Sequence, residues 1–572
     1  MESGTENDSV DIGTVNVADD DAIVPATPQR RRPPALNLRH TSSFNGPTSP
    51  TSQEHYIHKA MRSPGHLTRS NTLPRNYLKT PSKESPANSV LHDVPSLQLE
   101  SDTISKLASW LVCVALVHFD LDLGPSIIGV FPHKDFSVAD RENISFSSFP
   151  DSAQFREGSS VHSFRFRWSP RKGDIDDEAF SSDGFLYGFS YFSRKKDEAS
   201  VRGYDQRSLV LLTRHPWPSF FTEVMVKLGP MFIQHGAPML EAACHNIASW
   251  PAPKPGSTSE LGFLGSVLHA EIPNGVEQFQ NTDTSSFGEK FSLNAHILSS
   301  MAPPLPSALN VFAASITHLW SLWECLVLCD PVLVFGTSAT STSQAIWWLW
   351  DLLRPIPNAI DFRPYFTIHD KDYTAIIKKK APSSAILVGV TNPLFSSLCE
   401  HWPHRLCLGR KSDVQSTSGF AGPSPGWITK THNRYISKDR ELLARLESAV
   451  KVNGPIDVDG RLALTLRQHF TTRMVQFLVP LNRYLNTLIP APAATSRITP
   501  SQGAGRRSLK PFNQEHFMAS LKAHGSPLPF RSTSKKKEFY ERWLRTPSFG
   551  IWLAKQDETI SAFLQKADEK GT

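Results

Sequence analysis

Ten residues, Asp361-Phe-Arg-Pro-Tyr-Phe-Thr-Ile-His-Asp370, set two carboxylates, a guanidinium and an imidazole among three aromatic rings. His369 followed by Asp370 pairs the residue types of a general base and the carboxylate that orients it. The same stretch also suits a structural corner, and that is the simpler reading. Pro364 fixes an extended approach, Tyr365, Phe366 and Ile368 supply core contacts, and Asp361 pairs with Arg363 to hold the turn.

Two further segments carry ligand-type residues. Cys399, His401, His404 and Cys407 fall close together, and zinc prefers thiolate and imidazole donors. Structural zinc sites draw two ligand pairs from separate segments, however, whereas here one tight loop containing Pro403 would have to supply all four. Phe335-Gly-Thr-Ser-Ala-Thr-Ser-Thr-Ser-Gln344 sits between a strand and a helix, where free backbone N–H groups can hold a phosphate. With one glycine and no lysine it reads as a source of hydroxyl helix caps. Cys325 and Cys329, one helical turn apart, read as small buried hydrophobes. No nucleophile elbow or short Cys or Ser motif stands beside a matching base. Covalent chemistry, a cofactor and a bound metal are therefore not expected.

The elements that must position these residues follow from apolar periodicity. An apolar run from Leu107 meets a Gly-Pro turn and a second run ending at Phe131, a β-hairpin pattern. Strand-like runs follow at 161–168, 184–194 and 207–214, and helical spacing begins near Pro218. Residues 257–291, polar apart from Leu261 to Ile272, read as a link to the next module. That module opens with a long helix over 309–328, then a buried strand at 331–336, a helix, and a second strand with its turn at 384–395. After a Ser-, Gly- and Pro-rich loop the patterning is helical, with Leu462, Leu466, Phe470, Phe477, Leu481, Leu485 and Leu488 on one face.

At 572 residues the chain exceeds a single ordinary domain, and 34 Phe with 13 Trp give it ample apolar surface. A net charge of +6, from 60 basic and 54 acidic residues interspersed along the chain, argues against nucleic acid. Six scattered cysteines and an acidic N-terminus suit a reducing compartment, and no segment has the length and apolarity of a membrane span. Residues 1–104 are Ser-, Thr-, Pro- and Asn-rich and read as a disordered arm. The arm is acidic to Asp21 and mostly basic from Arg30 to Lys83, a pattern suited to anionic lipid or a protein partner.

Several separated strings, in order, resemble the DENN domain-containing protein 6 family, related to fungal proteins described by a polarity-axis stabilisation domain. They are FDLDLGPSIIGVFP (119–132), SFPDS (148–152), SFRFR (163–167), GFLYGFSYF (184–192) with RGYDQRSLVLLTR (202–214), and WPAP (250–253). LWECLVLCDPVLVFG (322–336), DFRPYFTIHD (361–370), GVTNPLF (389–395) and HWPH (401–404) continue the series. The resemblance implies a mixed α/β and α+β fold in a tripartite DENN module. Its parts are a longin-like upstream domain (107–275), a central α/β domain (276–409) and a mainly α-helical downstream domain (429–555). The flexible segments are a loop at 410–428 and an insert at 490–509, and a tail covers 556–572.

The resemblance also implies guanine nucleotide exchange on a Rab-type GTPase, in cytoplasm and at endosomal or other traffic membranes, with the basic arm touching the bilayer. It implies further that the GTPase binds across the first two domains. Asp361, Arg363, His369 and Asp370 are the expected contact candidates, and charge reversal at Arg363 is expected to slow GDP release with the fold retained. A non-catalytic scaffold docking an Arf-type GTPase or cortical proteins in polarised growth is the alternative.

Overall fold

The computed structural model describes residues 99–151, 157–168, 183–198, 200, 203–275, 296–357, 359–382, 385–409, 423–451, 457, 460–489 and 509–571. Nearly all of the expected arm, most of the 410–428 loop and nearly all of the 490–509 insert lie outside these residues. A short helix, α1 (Ser101–Leu107), overlaps the end of the stretch read as arm and buries Leu107.

The first sheet is fully antiparallel, in the order β2-β1-β5-β4-β3. Its strands are β1 (Cys113–Asp120), β2 (Gly124–Phe131), β3 (Gly158–Arg167), β4 (Phe185–Lys196) and β5 (Tyr204–Thr213). Successive side chains of a strand point to opposite faces, and here both faces are covered. Val114, Leu116, Leu209 and Leu211 pack with α3 (Pro218–His235) and α4 (Ala237–Ala248). Ala115, Val117, Val210 and Leu212 pack on the other face with Ile144 of α2 (Val138–Ser147). Burial on both sides is why these strands read as continuous apolar runs instead of alternating ones.

Two readings need correction. Residues 257–272 do not form a plain link: β6 (Thr258–Phe263) and β7 (Ser266–Glu271) make an antiparallel hairpin, with β8 (Ile297–Leu298) parallel to β7. Leu261, Phe263, Leu268 and Ala270 bury one face in alternation. The turn residues Leu264 and Gly265 both have positive φ, 45° and 78°. That geometry favours Asn-Gly or Asp-Gly, so a leucine in the first position conceals the hairpin.

The helix expected over 309–328 is broken into α5 (Ala308–Val311), a 3₁₀ turn (Ala313–His318) and α6 (Leu319–Val327). The Lys438 ammonium donates to the Thr317 carbonyl in the middle, and Ser315 N–H reaches Phe312 O at 2.7 Å, tightening the backbone to three-residue spacing.

The second sheet has the order β10-β11-β9-β12-β13. It comprises β9 (Val332–Phe335), β10 (Asp361–Arg363), β11 (Ile386–Val390), β12 (His404–Cys407) and β13 (Gly426–Thr429). All neighbours are parallel except β12 and β13. Between β9 and β10 runs α7 (Ala339–Asp351), whose Trp347 packs against Tyr187 of the first sheet and Phe362 of the second.

The remaining elements are short helices α8 (Tyr373–Ile376) and α9 (Leu394–Leu398), then α10 (Arg440–Lys451), α11 (Arg461–Leu488), α12 (Gln514–His524), α13 (Thr533–Trp543) and α14 (Pro547–Gly571). On α11 the expected face is buried, from Leu466 to Leu488, with Leu462 half-buried at its start. No described helix is long and apolar enough to cross a membrane.

One glycine sets how closely α3 sits on the first sheet. A Cβ at Gly229 would lie 2.1 Å from Cγ of the Tyr191 ring on β4, an atom near the root of the side chain that cannot swing away. Alanine would add about 1 kcal/mol of helix propensity, but overpacking of a filled core costs about 1–3 kcal/mol and this overlap is severe. Gly229→Ala is therefore expected to lower the thermal unfolding midpoint, measured by circular dichroism.

Candidate functional site

Asp361-to-Asp370 forms the joint between the two sheets. Asp361–Arg363 is a parallel edge strand against β11, so the segment begins as sheet and then turns. The turn fits because β11 carries Gly389: a Cβ there would lie 2.5 Å from the Pro364 carbonyl oxygen. Beyond Pro364, the Tyr365 side chain crosses to the first sheet. Its hydroxyl donates to Phe149 O (3.3 Å) and accepts from Asp151 N–H (2.7 Å), with its ring edge-on to His162.

The charged residues form a network that draws on both sheets. Arg363, fully buried, donates Nε to Asp361 Oδ1 (2.7 Å) and Nη2 to Asp361 Oδ2 (3.1 Å) and Asp372 Oδ2 (2.5 Å). From β3, Arg165 Nη2 reaches Asp361 Oδ1 at 3.3 Å and Arg167 Nη2 reaches Asp361 Oδ2 at 2.9 Å. The Arg165 guanidinium lies between two rings, 3.8 Å from the centroid of Phe185 and 3.6 Å from that of Phe362. Its Nη1 donates to the Tyr187 hydroxyl at 3.1 Å.

Burial alone would raise the Asp361 carboxyl, but hydrogen bonds and charge from Arg363, then the charges of Arg165 and Arg167, hold it at about 2, below its ordinary 3.8. Burial would depress the Arg363 guanidinium, and the hydrogen bond and charge of Asp361 reverse that shift, so it stays charged.

Asp370 and His369 sit differently. Asp370 approaches Arg363 Nη1 only to 3.8 Å, and that nitrogen makes no hydrogen bond. Burial pushes the Asp370 carboxyl up against the pull of Arg363. Its Oδ1 accepts from Asp372 N–H at 2.8 Å, which shapes the turn. The exposed His369 ring stacks on Phe146 of α2, with centroids 3.6 Å apart and planes at 15°. Partial burial lowers its pKa against the pull of Asp151 and Glu142. Among the described residues no hydrogen bond joins this ring to Asp370, so the two do not form a base and its orienting partner. Asp361, Arg363 and Asp370 are brought together, and His369 faces the first sheet's helix.

The partners supplied by Arg165, Arg167 and Asp372 were not singled out in the sequence. The available signal was the alternation of Arg and Phe in Ser-Phe-Arg-Phe-Arg, which sets both guanidinium groups on one face of a strand. The serine-rich turn is a cap: Ser338 Oγ accepts from Ser341 N–H at 3.1 Å, and the Thr340 hydroxyl donates to Val161 O at 2.8 Å. Cys399 and Cys407 pack in the apolar core of the second sheet, while His404 turns toward Asp330.

Burial corrects one expectation. A carboxylate at position 363 would face Asp361, Asp370 and Asp372 with no solvent, so Arg363→Glu is expected to lose the fold instead of keeping it. Asp361→Asn is the milder test, expected to cost about 3 kcal/mol at pH 7 because it removes the carboxylate charge shared by the buried guanidinium groups of Arg165 and Arg363. The folded-state pKa is depressed, so this carboxylate's contribution is complete above the ordinary value and is lost as pH falls through about 2. Urea unfolding at pH 7 and pH 3 should show a gap between wild type and Asp361→Asn that narrows at the lower pH.

A scan against protein-family models matches none. Curated proteins do match. The chain is 31% identical over 487 residues to human Protein DENND6B, covering 81% of both chains. It is 29% identical over 490 residues to mouse Protein DENND6A, covering 80% of this chain and 78% of that one. A Dictyostelium discoideum Protein DENND6 homolog matches at 27% over 543 residues, covering 82% and 73%. At 31% identity over 81% of both chains, the similarity shows that the chain belongs to the DENN domain-containing protein 6 family.

Proposed function

We propose that this protein is a guanine nucleotide exchange factor for a Rab-type small GTPase, and that the GTPase docks where the two sheets meet. One observation carries the reading: strings far apart in sequence converge on a single joint. Asp151 bonds Tyr365, its side chain accepts from Asn392 Nδ2 at 3.2 Å, Arg165 and Arg167 bond Asp361, and Phe146 stacks on His369. A Cβ on Gly124 would lie 3.7 Å from the Phe146 ring, which brings the β1–β2 hairpin tip alongside. Exposed apolar residues flank these segments in sequence: Leu121 at 55% and Leu123 at 76% precede Gly124, and Leu394 at 48% follows Asn392.

Exchange requires no nucleophile. A factor that binds the nucleotide-free GTPase more tightly than the nucleotide-bound form shifts the equilibrium toward release by that difference. It must present a rigid surface to segments that the bound phosphate and Mg²⁺ otherwise order. A joint locked by buried ion pairs supplies such a surface. In this reading Asp361 and His369 are contact residues at the rim, and Arg363 and Asp370 hold them in place. The upstream (107–275), central (276–409) and downstream (429–555) units are the proposed working parts. The basic stretch from Arg30 to Lys83 is the proposed attachment to anionic endosomal or other traffic membranes.

The test is release of labelled GDP from a panel of purified Rab proteins. Wild type is expected to accelerate release from at least one, and Leu123→Asp and His369→Ala, both at exposed positions, to slow that by about tenfold or more with unchanged thermal midpoints. A partner that binds without faster release would establish the scaffold reading instead.

A further inference from the structure

The end of α6 closes in a Schellman turn. Cys329 N–H bonds Leu326 O at 3.0 Å and Asp330 N–H bonds Cys325 O at 2.8 Å, with Cys329 in the left-handed region at φ 58°. This turn folds Asp330 back over Cys325. The parallel register of β12 with β9 sets His404 opposite Val332, two residues beyond Asp330. Cys325 Sγ, an Asp330 carboxylate oxygen and a His404 ring nitrogen consequently lie within 4.8 Å of one another, although they come from two distant segments.

We infer that these three side chains form a binding site for a divalent, thiophilic cation, of which Zn²⁺ is the best fit. Zinc bond lengths of about 2.0–2.3 Å at tetrahedral angles put ligand atoms about 3.4–3.6 Å apart. His404 Nε2 and Asp330 Oδ2 are 3.7 Å apart, too long for a hydrogen bond and close to that ligand separation. The outer contacts suit ligation. Thr429 Oγ1 lies 3.0 Å from His404 Nδ1, where it can accept that proton and leave Nε2 as a free donor atom toward Asp330. Trp427 stacks on the ring, with centroids 5.7 Å apart.

Arg542 fixes the carboxylate by donating Nη2 to both Asp330 oxygens, at 2.8 and 3.1 Å. Metal-bound carboxylates are commonly held in this way by an outer hydrogen bond. A thiol among the ligands disfavours Mg²⁺ and Ca²⁺, which take oxygen donors. On binding, the Cys325 proton leaves to solvent, so one dication replaces one proton. The fourth position falls to water or to His432, a buried imidazole whose Nδ1 makes no hydrogen bond and whose ring centroid lies 6.4 Å from that of His404. Through Arg542 on α13, the ion would tie the second sheet to the helical region.

The experiment uses the full chain, stripped of metal and titrated with Zn²⁺ against a chromophoric chelator, and separately with Co²⁺ while thiolate-to-cobalt charge transfer is recorded. Expected are one equivalent of tightly bound Zn²⁺ and a charge-transfer band. Cys325→Ser should abolish the band, and Asp330→Asn should weaken Zn²⁺ by about tenfold or more. Cys399→Ser and Cys407→Ser should change neither. Asp330→Asn, at a partly exposed position, remains informative if Cys325→Ser fails to fold. Absence of stoichiometric Zn²⁺ binding by wild type, a cobalt band that survives Cys325→Ser, or Zn²⁺ affinity unchanged in a folded Asp330→Asn variant would overturn the site.

Discussion

The Arg165 guanidinium, sandwiched between Phe185 and Phe362 and bonded to Asp361, is the interaction on which the arrangement of the two sheets depends. Arg165 and Phe185 belong to the first sheet, Phe362 and Asp361 to the second. A planar cation can stack on rings above and below while its edge donates hydrogen bonds in the plane, which lysine cannot do. Almost no solvent reaches this group, its side chain being 4% exposed, so its charge must be met by the protein.

That requirement spreads outward. Asp361 serves Arg165, Arg167 and Arg363, and Asp372 serves Arg363 and Arg167. Each carboxylate is shared, and two of the three guanidinium groups, Arg165 and Arg363, are buried. Such networks contribute little compared with apolar packing when whole, yet cost several kcal/mol when one member is removed. Here the shared carboxylate of Asp361 ties β3 of the first sheet to β10 of the second.

The same arrangement recurs where the helical region meets the second sheet. Asp351 at the end of α7 is paired by Arg354 and by Arg467 of α11, and Arg354 also donates to the Ser300 carbonyl at 2.6 Å. Glu324, fully buried in α6, accepts from the backbone N–H groups of Tyr435 and Ile436 at 3.0 and 2.7 Å. In both cases a buried carboxylate on one element orders another that has no strand pairing with it. Apolar packing between them is extensive but non-directional, and the buried polar contacts supply the direction.

The sequence by itself determined the elements. Continuous apolar runs named the doubly covered strands, the stripe on residues 461–488 named the long helix, and Ser338 was legible as a cap because local chemistry and period sufficed. It also carried the family, through strings that must stay intact for these contacts to form. Two elements were not legible: the β6–β7 hairpin, concealed by its atypical turn residue Leu264, and the helix interrupted near Thr317, where the distant Lys438 binds. The candidate site divides in the same way. Asp361 and Arg363 announced a local pair, but only the tertiary structure decided that Arg165, Arg167 and Asp372 complete it, that Arg363 is fully buried, and that His404 meets Cys325 and Asp330 instead of Cys399 and Cys407. Strand register and the approach of one sheet to the other set those distances. A linear chain specifies residue types and spacing along itself; which charges share a buried carboxylate is fixed only when packing has excluded the water between them.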